Sequence, residues 1–340
     1  MIPALMSGVQ LTAHGGPEVL VWSDTIPVPV PGPGGVLVQV LAAGVNATDL
    51  NTRLGWYAKA DDPEAGGWTG ALNFPRIQGA DLCGRVVALG QGVTGLNVGA
   101  RVTCAAMQPE PTADNPLGMA TIGSEYDGAF AQYCVVPARH LHDVSASPLS
   151  AIEIGAMPCA YGTAHNLLTR AGLQKGKRVL ITGASGGVGF AAVQLAALRG
   201  AQVTGQCSLG KAGPARAAGA EILDRAETPP KQSFDVVIDV IGGPDWPARI
   251  DALRPGGRYA VSGAIAGPMV TADLRTIYLN DLTLLGCTHQ AASVFARLVD
   301  LINAGTLRPL IAKTYPLRDI ALAQADLQAG RYPGKLVLIP

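Results

Sequence analysis

The sequence predicts an α/β protein in which a β-rich region precedes a doubly wound parallel sheet. Residues 1 to about 150 hold short apolar strands separated by turns, a pattern typical of a β-barrel. From about residue 151 onwards, apolar strands alternate with helical stretches, which indicates parallel strands joined by helices. The chain has 340 residues and is 48% hydrophobic, enough for two domains with sizeable cores.

Composition argues against several classes of partner. The chain has 25 basic and 25 acidic residues, so no net charge attracts nucleic acid or an anionic membrane. No apolar run reaches the ~18 residues that span a bilayer, and the first residues lack the basic start and apolar core of a signal peptide. The 6 cysteines are scattered without a C-x-x-C pair, which predicts reduced thiols and a cytoplasmic protein.

The β-rich region is recognised by runs of β-branched and apolar residues bounded by Pro/Gly clusters. Four such runs predict strands: Val36 to Leu41, Cys83 to Leu89, Ala100 to Thr103, and Ala129 to Val136. Between Gly55 and Gln78 lies a long segment rich in Gly, Trp and Pro. A loop of this length in a compact domain is usually functional, and we interpret it as a functional segment or a lid.

The stretch from Arg178 to Gly200 predicts a dinucleotide-binding unit. Its apolar run Val179 to Ile181 is typical of a buried strand, and Val188 to Leu198 is typical of a helix. The turn between them has the pattern A-x-G-x-x-G, and the residues that we expect to contact the coenzyme are Gly183, Ser185, Gly186, Gly187, Val188 and Gly189.

Each part of this turn has a physical use. A glycine at 186 lets the backbone approach a pyrophosphate, and a glycine at 189 lets the helix pack closely on the strand. The start of the helix offers N–H groups and a positive dipole end to phosphates. The alternative is an ordinary tight turn, but a second strand at Gln202 to Gln206 follows at once and favours the nucleotide unit.

The residues after that second strand favour NADPH. An NAD site usually places Asp or Glu at this point to bind the ribose 2′-OH, and no acidic residue lies between Phe190 and Ala220. Ser208, Lys211 and Arg216 follow instead, and a hydroxyl with nearby cations suits a 2′-phosphate. The alternative for Lys211 is a solvated residue at the start of a helix.

The remaining elements complete the alternation of strands and helices. Further strands are predicted at Phe234 to Ile241, Arg258 to Ser262 and Leu282 to Gly286. Helices are predicted at Ile154 to Ala171, Lys211 to Ala218, Trp246 to Leu253 and Ala272 to Tyr278. An amphipathic helix at Ala292 to Ala304 and a strand at Lys335 to Ile339 close the chain.

Several motifs together resemble the medium-chain dehydrogenase/reductases, and within them the zinc-independent quinone oxidoreductase branch. They are V-N-x-x-D-x-x-x-R-x-G-x-Y from Val45 to Tyr57, the G-A-S-G-G-V-G turn, and the segments DVVIDVIGG and LRPGGRYAVSG. The resemblance implies a GroES-like domain at residues 1–150 completed by 290–340, and a Rossmann domain at 151–289. It also implies an active site in the cleft between them and a homodimer formed through the sixth strand of the nucleotide sheet.

The zinc-dependent members of this family differ at the metal ligands. Asn46 stands where they carry Cys, and Gly79-Ala80-Asp81 stands where they carry G-H-E. Cys159 lies where the third ligand could be, but one thiol and one carboxylate do not make a three-ligand site. The four closely spaced cysteines of a structural zinc site are also missing, so we expect no metal. The alternative is a zinc alcohol dehydrogenase that uses Thr48, Asp49 and Cys159.

Without a metal, the negative charge that builds on a carbonyl oxygen during hydride addition needs hydrogen-bond donors. Asn46 and Tyr57 are the predicted catalytic residues, because the resemblance places their segment over the nicotinamide. The alternatives are a turn amide at Asn46 and an aromatic packing residue at Tyr57. Asp49 and Arg53 are four residues apart, and we expect them to pair with each other.

Further coenzyme contacts follow from the resemblance alone. Thr163 matches a residue near the nicotinamide, and Gly263 and Ala264 match the loop around its carboxamide. Arg225 stands where the branch often has Tyr near the adenosine phosphate, and the alternative for it is a surface arginine. The predicted activity is NADPH-dependent, zinc-independent hydride transfer to a quinone or an α,β-unsaturated carbonyl compound. A zinc-type alcohol dehydrogenase and a non-catalytic NADPH-binding protein are the alternatives.

Overall fold

The structure is a computed structural model that describes residues 1–58 and 72–340. Its strands are β1 (Leu5–Leu11), β2 (Leu20–Pro27), β3 (Gly35–Val45), β4 (Arg76–Ile77), β5 (Cys83–Leu89), β6 (Arg101–Cys104), β7 (Met107–Pro109), β8 (Met119–Thr121), β9 (Tyr133–Pro137), β10 (Leu141–Asp143), β11 (Arg178–Thr182), β12 (Gln202–Cys207), β13 (Glu221–Asp224), β14 (Phe234–Asp239), β15 (Leu253–Val261), β16 (Thr283–Gly286), β17 (Ile311–Pro316) and β18 (Lys335–Ile339). Its helices are α1 (Ala47–Arg53), α2 (Ala151–Gly155), α3 (Pro158–Arg170), α4 (Gly187–Leu198), α5 (Gly213–Ala217), α6 (Trp246–Asp251), α7 (Leu274–Leu279), α8 (Ala292–Asn303) and α9 (Ile320–Gln328).

Contacts divide the chain into two compact units. The first contains residues 1–159 and 291–340, and the second contains residues 160–290. The boundaries that we expected from the sequence, at 150 and 290, stay a prediction. Of the described helices, none is both long enough and apolar enough to cross a membrane.

The first unit is built around the long strand β3. This strand pairs antiparallel with β5 and β9 along one stretch and with β18 at its carboxyl end. The sheet runs in the order β10-β6-β5-β3-β18-β17, and β2-β1-β4 forms a smaller sheet. The inward faces share one core, whose fully buried members include Val36, Val38, Leu82, Val102, Ile122, Phe130 and Leu338.

The pairing of β3 with β18 brings two distant segments of the sequence together. Leu336 lies opposite Val45 in the register, so the residue that follows β3 and the residue that starts β18 are neighbours. These residues are Asn46 and Lys335. The pairing therefore brings the carboxyl end of β3 and the amino end of β18 together, although these ends are far apart in the sequence.

The second unit is a six-stranded sheet with all strands parallel. Its order is β13-β12-β11-β14-β15-β16, so the direction of strand progression reverses between β11 and β14. In open α/β sheets, ligands bind at such a switch point, beyond the carboxyl ends of the strands. An all-parallel, doubly wound sheet beside a separate antiparallel β domain is the architecture that the sequence predicted.

The elements differ from the sequence prediction in a few places. The helix predicted at Ile154 to Ala171 is two helices, α2 and α3, because Pro158 cannot continue the ladder of the preceding turn. The strand predicted at Ala129 to Val136 is shorter and begins at Tyr133. Residues 59–71 of the predicted lid lie outside the described residues.

Candidate functional site

Asn46 is the residue between β3 and helix α1. Its extended backbone (φ −128°, ψ 158°) makes it the N-cap of α1. The carboxylate of Asp49, at the third position of the helix, accepts a 2.8 Å hydrogen bond from the backbone N–H of Asn46. This bond satisfies a donor at the start of the helix and fixes the direction in which the Asn46 side chain leaves the backbone.

The amide of Asn46 is held at both ends in a buried group that we call the Asn46 cluster: Asn46, Asp81 and Lys335. The Asn46 Nδ2 donates to Asp81 Oδ2 at 2.9 Å, and it has a longer contact of 3.4 Å to the carbonyl of Gly44. The Asn46 Oδ1 accepts from the ammonium of Lys335. The orientation of the amide is therefore set by a carboxylate on one side and a cation on the other.

Lys335 and Asp81 form a buried ion pair. Lys335 Nζ lies 3.0 Å from Asp81 Oδ2, and their side chains are 5% and 0% exposed. The ammonium also donates to the carbonyl of Val45 at 3.0 Å, and the second oxygen of Asp81 accepts from the backbone N–H of Cys159 at 2.6 Å. Each charge is thus hydrogen-bonded, which is the condition for keeping an ion pair away from water.

Asp49 lies next to this cluster and carries a perturbed carboxyl group. Burial raises the pKa of Asp49 to about 7, the nearby Asp81 adds to the rise, and the Asn46 N–H and Lys335 oppose it. The side chain therefore titrates near neutral pH instead of near its ordinary value.

Tyr57 follows α1 and presents its phenol to a neighbouring hydroxyl. The Tyr57 O–H donates to Thr48 Oγ1 at 3.2 Å, and Asn51 Nδ2 lies 3.5 Å from the phenol oxygen. Burial raises the pKa of Tyr57, partly offset by these hydrogen bonds, so the phenol keeps its proton at neutral pH. Asn46 and Tyr57 thus lie at opposite ends of helix α1, and the Thr48 hydroxyl is on the same helix.

The expected pair between Asp49 and Arg53 is wrong. Asp49 binds the backbone N–H of Asn46, while Arg53 Nε donates to Gln324 Oε1 at 2.8 Å and its Nη1 donates to the carbonyl of Gly15 at 2.8 Å. The spacing would suit a pair on an exposed helix, but α1 is largely buried, Asp49 caps the start of its own helix, and Arg53 binds residues from distant parts of the chain.

The side chains at the family's metal positions do not fit a zinc ion. Asn46 Oδ1 and Asp81 Oδ2 both accept from the Lys335 ammonium, which places a cation against them, and Asp81 Oδ1 accepts from the Cys159 N–H. Ala80 offers no ligand, and Cys159 packs among Ala80 and Met107. Within residues 1–58 and 72–340, no three His, Cys, Asp or Glu side chains are arranged to hold a metal.

In the second unit, the predicted coenzyme turn joins β11 to α4 at the switch point of the sheet. Gly183 has φ +61°, a left-handed conformation that glycine adopts without strain. A Cβ on Gly189 would lie 2.1 Å from the Gly183 carbonyl, so the helix could not approach the strand with any larger residue. Ser185, Gly187 and Val188 are partly exposed along this turn.

Gly186 differs from these neighbours because nothing in the protein requires a glycine there. Its φ is −87°, and the nearest atom to a Cβ on it would be the Gly183 carbonyl at an ordinary 3.4 Å. It is the N-cap of α4 and has no side chain to satisfy the first N–H groups of the helix. Open space and free N–H groups at a helix start are the features that fit a bound phosphate.

The predicted adenosine-side residues lie beyond the end of β12. Ser208 precedes a short 3₁₀ turn at Leu209–Lys211, and the backbone N–H of Arg225 donates to the carbonyl of Cys207 at 3.1 Å. The parallel register also places Asp224, on the neighbouring strand β13, beside Cys207 at the end of β12. The Asp224 carboxylate accepts from the Ala226 N–H at 2.8 Å within its own turn.

The other predicted contacts lie on two further segments of the second unit. Thr163 is buried within α3. Gly263 and Ala264 follow β15, and a Cβ on Gly263 would lie 2.8 Å from the carbonyl of Val240. The loops after β14 and β15 therefore touch each other beside the coenzyme turn. The catalytic and coenzyme-binding roles of all these residues stay predictions.

Two polar residues in these sites had no role in the sequence analysis. Lys335 is the first residue of the predicted closing strand, and Asp239 lies within the predicted strand and the DVVIDVIGG segment that carries the resemblance. The signal for both was a charge at the end of a buried strand, since charges are rarely fully buried without a partner. Only the fold shows which partner each one has.

Comparisons with known proteins agree with this architecture. Two family models match the chain: the alcohol dehydrogenase GroES-like domain over residues 32–146, and the zinc-binding dehydrogenase over residues 218–338. A solved structure from Sinorhizobium meliloti 1021, provisionally named an alcohol dehydrogenase, has a TM-score of 0.92 at 40% identity and covers 100% of this chain and 98% of that one.

Two curated relatives are similar over nearly their whole length. The acryloyl-coenzyme A reductase of Metallosphaera sedula is 29% identical, over 91% of this chain and 93% of its own. The quinone oxidoreductase of Lama guanicoe is 27% identical, over 98% of each chain. Together with the β domain and the parallel sheet, these matches show that the chain belongs to the medium-chain dehydrogenase/reductase family of oxidoreductases, which use a nicotinamide coenzyme.

Proposed function

We propose that this protein is an NADPH-dependent reductase that transfers hydride, without a metal, to a quinone or to a C=C bond conjugated to a carbonyl group. The observation that carries the proposal is the Asn46 cluster, in which a buried ammonium binds the oxygen atoms that would otherwise be offered to a zinc ion. A reductase of this kind needs hydrogen-bond donors at the acceptor oxygen, and the α1 segment supplies them.

The bound coenzyme supplies the hydride, and the chain supplies binding and protons. Hydride addition builds negative charge on the carbonyl oxygen of the acceptor. The Tyr57 phenol is protonated at neutral pH and can donate to that oxygen. The second N–H of Asn46, whose contact to the Gly44 carbonyl is a long 3.4 Å, is the further donor in this proposal.

The preference for NADPH is supported by the charges beyond β12. Lys211 and Arg225 supply cations and Ser208 a hydroxyl, the groups that a 2′-phosphate would bind. Asp224 is an acid beside the end of β12 that could favour NAD through the ribose hydroxyl. Its carboxylate is already bound to the Ala226 N–H, and we infer that it is a turn residue.

The substrate class follows from the mechanism and from the relatives together. The names of two relatives, acryloyl-coenzyme A reductase and quinone oxidoreductase, describe acceptors in which a carbonyl group takes up charge through conjugation. We include α,β-unsaturated thioesters in the proposed class for this reason. A neighbour named as an alcohol dehydrogenase keeps the alternative of alcohol oxidation open to test.

We also propose that the protein is a homodimer that works in the cytoplasm. Strand β16 lies at the edge of the parallel sheet, and Leu284 on it is exposed, as are Leu274, Tyr278 and Leu279 on α7. An apolar patch beside an edge strand is a surface that a second copy can cover. All six cysteines are free thiols, which fits a reducing compartment.

A substrate screen with metal analysis tests the proposal. Purified protein should oxidise NADPH faster than NADH with enones, unsaturated thioesters or quinones, and a chelator should leave the rate unchanged. Stoichiometric zinc together with alcohol oxidation would favour the alcohol dehydrogenase. Tight NADPH binding without turnover across the panel would favour a non-catalytic binding protein.

The catalytic residues are tested by two substitutions and one control. We expect Tyr57→Phe and Asn46→Ala each to lower kcat by about 10²-fold, because each removes a donor to the developing charge. Tyr332→Phe, at an exposed tyrosine of the same unit, should leave kcat unchanged. Unchanged kcat in both site variants would contradict their catalytic roles.

A further inference from the structure

Asp239 is a fully buried carboxylate at the carboxyl end of β14, one of the two strands that flank the switch point of the parallel sheet. None of the proposed catalytic or coenzyme contacts includes it. Its position nevertheless puts it directly behind the coenzyme turn, because β14 pairs with β11 in the register.

Five donors from four segments bind this one side chain. Asp239 Oδ1 accepts from the Thr182 hydroxyl at 2.7 Å and from the backbone N–H groups of Ile241 and Gly242 at 2.9 and 3.2 Å. Asp239 Oδ2 accepts from Arg249 Nη1 at 2.9 Å and from the Tyr259 hydroxyl at 2.7 Å. The carboxylate thus joins the end of β11, the loop after β14, helix α6 and strand β15.

Asp239 supports the coenzyme turn through Thr182. Thr182 is the last residue of β11 and directly precedes Gly183. Its hydroxyl donates to Asp239 and accepts from the Val240 N–H at 3.1 Å. A Cβ on Gly183 would lie 3.0 Å from Ile241 Cδ1, so the turn rests directly on the loop that Asp239 holds.

The loop of residues 240–243 also binds the loop that follows β15. The Ala266 N–H donates to the carbonyl of Ile241 at 2.9 Å, and the Gly243 N–H donates to the carbonyl of Gly267 at 3.0 Å. A Cβ on Gly242 would lie 3.0 Å from the Cα of Ala264. The loop of residues 240–243 is therefore in contact with the turn on one side and with residues 264–267 on the other.

A charge is not needed merely to hold these strands together. Well-packed apolar side chains stabilise a core at least as well as a buried ion pair of the same volume. A carboxylate with all its hydrogen bonds made differs from apolar packing in direction, because each donor must stay at its own distance and angle. The hydrogen bonds of Asp239 therefore suit a residue that sets the spacing between the coenzyme turn and the loop that follows β15.

We propose that Asp239 is a positioning residue for the dinucleotide, holding the pyrophosphate turn at Gly183–Gly189 and the nicotinamide loop at Gly263–Ala264 at a fixed separation. The inference rests on the proposed function, because it assigns the coenzyme to these two loops. It adds a residue that touches neither the coenzyme nor the substrate and acts through Thr182 and the loop of residues 240–243.

The test compares Asp239→Asn with a matched control on the same strand. In the variant, the amide Oδ1 still accepts from Thr182 and the loop, but Nδ2 faces Arg249 and Tyr259 as a donor facing donors. The control is Asp235→Asn, at the opposite end of β14, where the carboxylate binds Lys177, Arg254 and the Arg178 N–H. Both variants remove one charge from one strand.

Binding of NADPH and NADH is measured by coenzyme fluorescence, alongside the thermal midpoint and steady-state kinetics. We expect Asp239→Asn to raise the coenzyme Kd about 10- to 100-fold. At saturating coenzyme, kcat and the KM for the acceptor should stay within about threefold of wild type. Asp235→Asn should leave the coenzyme Kd unchanged even where it lowers the thermal midpoint.

The outcomes separate this inference from the proposed function. If the wild-type protein binds neither NADPH nor NADH, the proposed reductase function and the positioning role of Asp239 both fail. If wild type binds coenzyme and Asp239→Asn binds equally well, or if both variants weaken binding in step with their stability, only the positioning role fails. Should Asp239→Asn not fold, Thr182→Val removes a single arm of the network, and an unchanged coenzyme Kd in that variant would overturn the inference.

Discussion

Lys335 illustrates how one side chain can decide what a site is able to bind. Its ammonium lies against the oxygen atoms of Asn46, Asp81 and the Val45 carbonyl, and its side chain is only 5% exposed. A buried ammonium of this kind compensates the charge of Asp81 and also turns the oxygen of Asn46 inward. The donor end of the amide is thereby directed to Asp81 and Gly44.

Replacing Lys335 by methionine should destabilise the protein by about 3–5 kcal/mol, because it leaves the Asp81 charge buried without its partner. Urea unfolding would measure the change. Lys313→Met on the neighbouring strand β17 is the control, because Lys313 is half exposed and lies 4.0 Å from Asp326, and we expect it to cost under about 1 kcal/mol. The double variant Lys335→Met/Asp81→Asn should recover part of the loss.

Asp49 should make the stability of the protein depend on pH in the neutral range. Its pKa is raised from 3.8 to about 7 in the folded protein, so the folded state holds a proton that the unfolded state releases. Stability should therefore fall as the pH rises from 5 to 8, by about 2–3 kcal/mol, and level off once both states are ionised.

The Asp49→Asn variant tests this sign. An amide at this position can still accept from the Asn46 N–H but cannot titrate, so its unfolding free energy should change less between pH 5 and pH 8. Asp235→Asn is the control. Although burial opposes it, hydrogen bonds from Arg178 and Lys177 lower the pKa of Asp235, so that carboxyl is ionised in both states over this range. A wild-type protein that gains stability from pH 5 to 8 would contradict the prediction.

At the scale of an element, the start of α4 separates two uses of glycine. Gly189 is required by the protein itself, because a side chain there would strike the Gly183 carbonyl. Gly186 has room for a methyl group and an ordinary backbone conformation. Because the fold itself does not require glycine at 186, a bound phosphate is the reason we propose for it. Comparing substitutions at 186 and 189 therefore tests the predicted phosphate contact.

Gly186→Ala should therefore weaken coenzyme binding, whereas Gly189→Ala should mainly lower the stability of the fold. Gly186→Ala should lower stability by about 1 kcal/mol or less and raise the Kd for NADPH about tenfold or more, because its methyl group would occupy the space of the pyrophosphate. Gly189→Ala should cost at least about 2 kcal/mol, because helix and strand must separate. Thermal unfolding and coenzyme titration measure the two effects, and unimpaired NADPH binding by Gly186→Ala would refute the contact.

At the scale of the whole molecule, the exposed side of the parallel sheet predicts self-association. Leu284 is 42% exposed on the edge strand β16, and Tyr278 and Leu279 on α7 are exposed as well. Leu284→Lys should convert a dimer to a monomer by placing a charge in the apolar patch. Leu198→Lys, at a leucine of the same unit exposed at the end of α4, should not. Light scattering after gel filtration distinguishes them, and a monomeric wild type would refute the proposed interface.

Much of the architecture could be predicted because it depends on local patterns. The strands of the parallel sheet are buried on both faces and read as continuous apolar runs, and the glycine turn follows the first of them. The elements that were misjudged depend on context. Pro158 divides one predicted helix into α2 and α3, and strands β1, β2 and β17 carry exposed positions that weaken their apolar pattern.

The site was less predictable, since its contacts join residues far apart in the chain. Asn46 and Tyr57 lie at the two ends of helix α1 and their catalytic roles stay predictions, whereas the partner of Arg53 is Gln324 and that of Asp81 is Lys335. Spacing within a helix can suggest a pair such as Asp49 and Arg53, yet it gives no information on competing partners from other elements.

Residue types and local spacing were enough to predict the alternating strands and helices of the parallel sheet and its glycine turn, and the family resemblance pointed to the missing zinc ligands at positions 46 and 80. Only the tertiary structure decided that β18 returns beside β3 and brings the Lys335 ammonium to Asn46 and Asp81, and that Asp239 gathers donors from four segments. Hydrogen bonds of this kind act over about 3 Å, so they exist only after folding has brought the distant segments together.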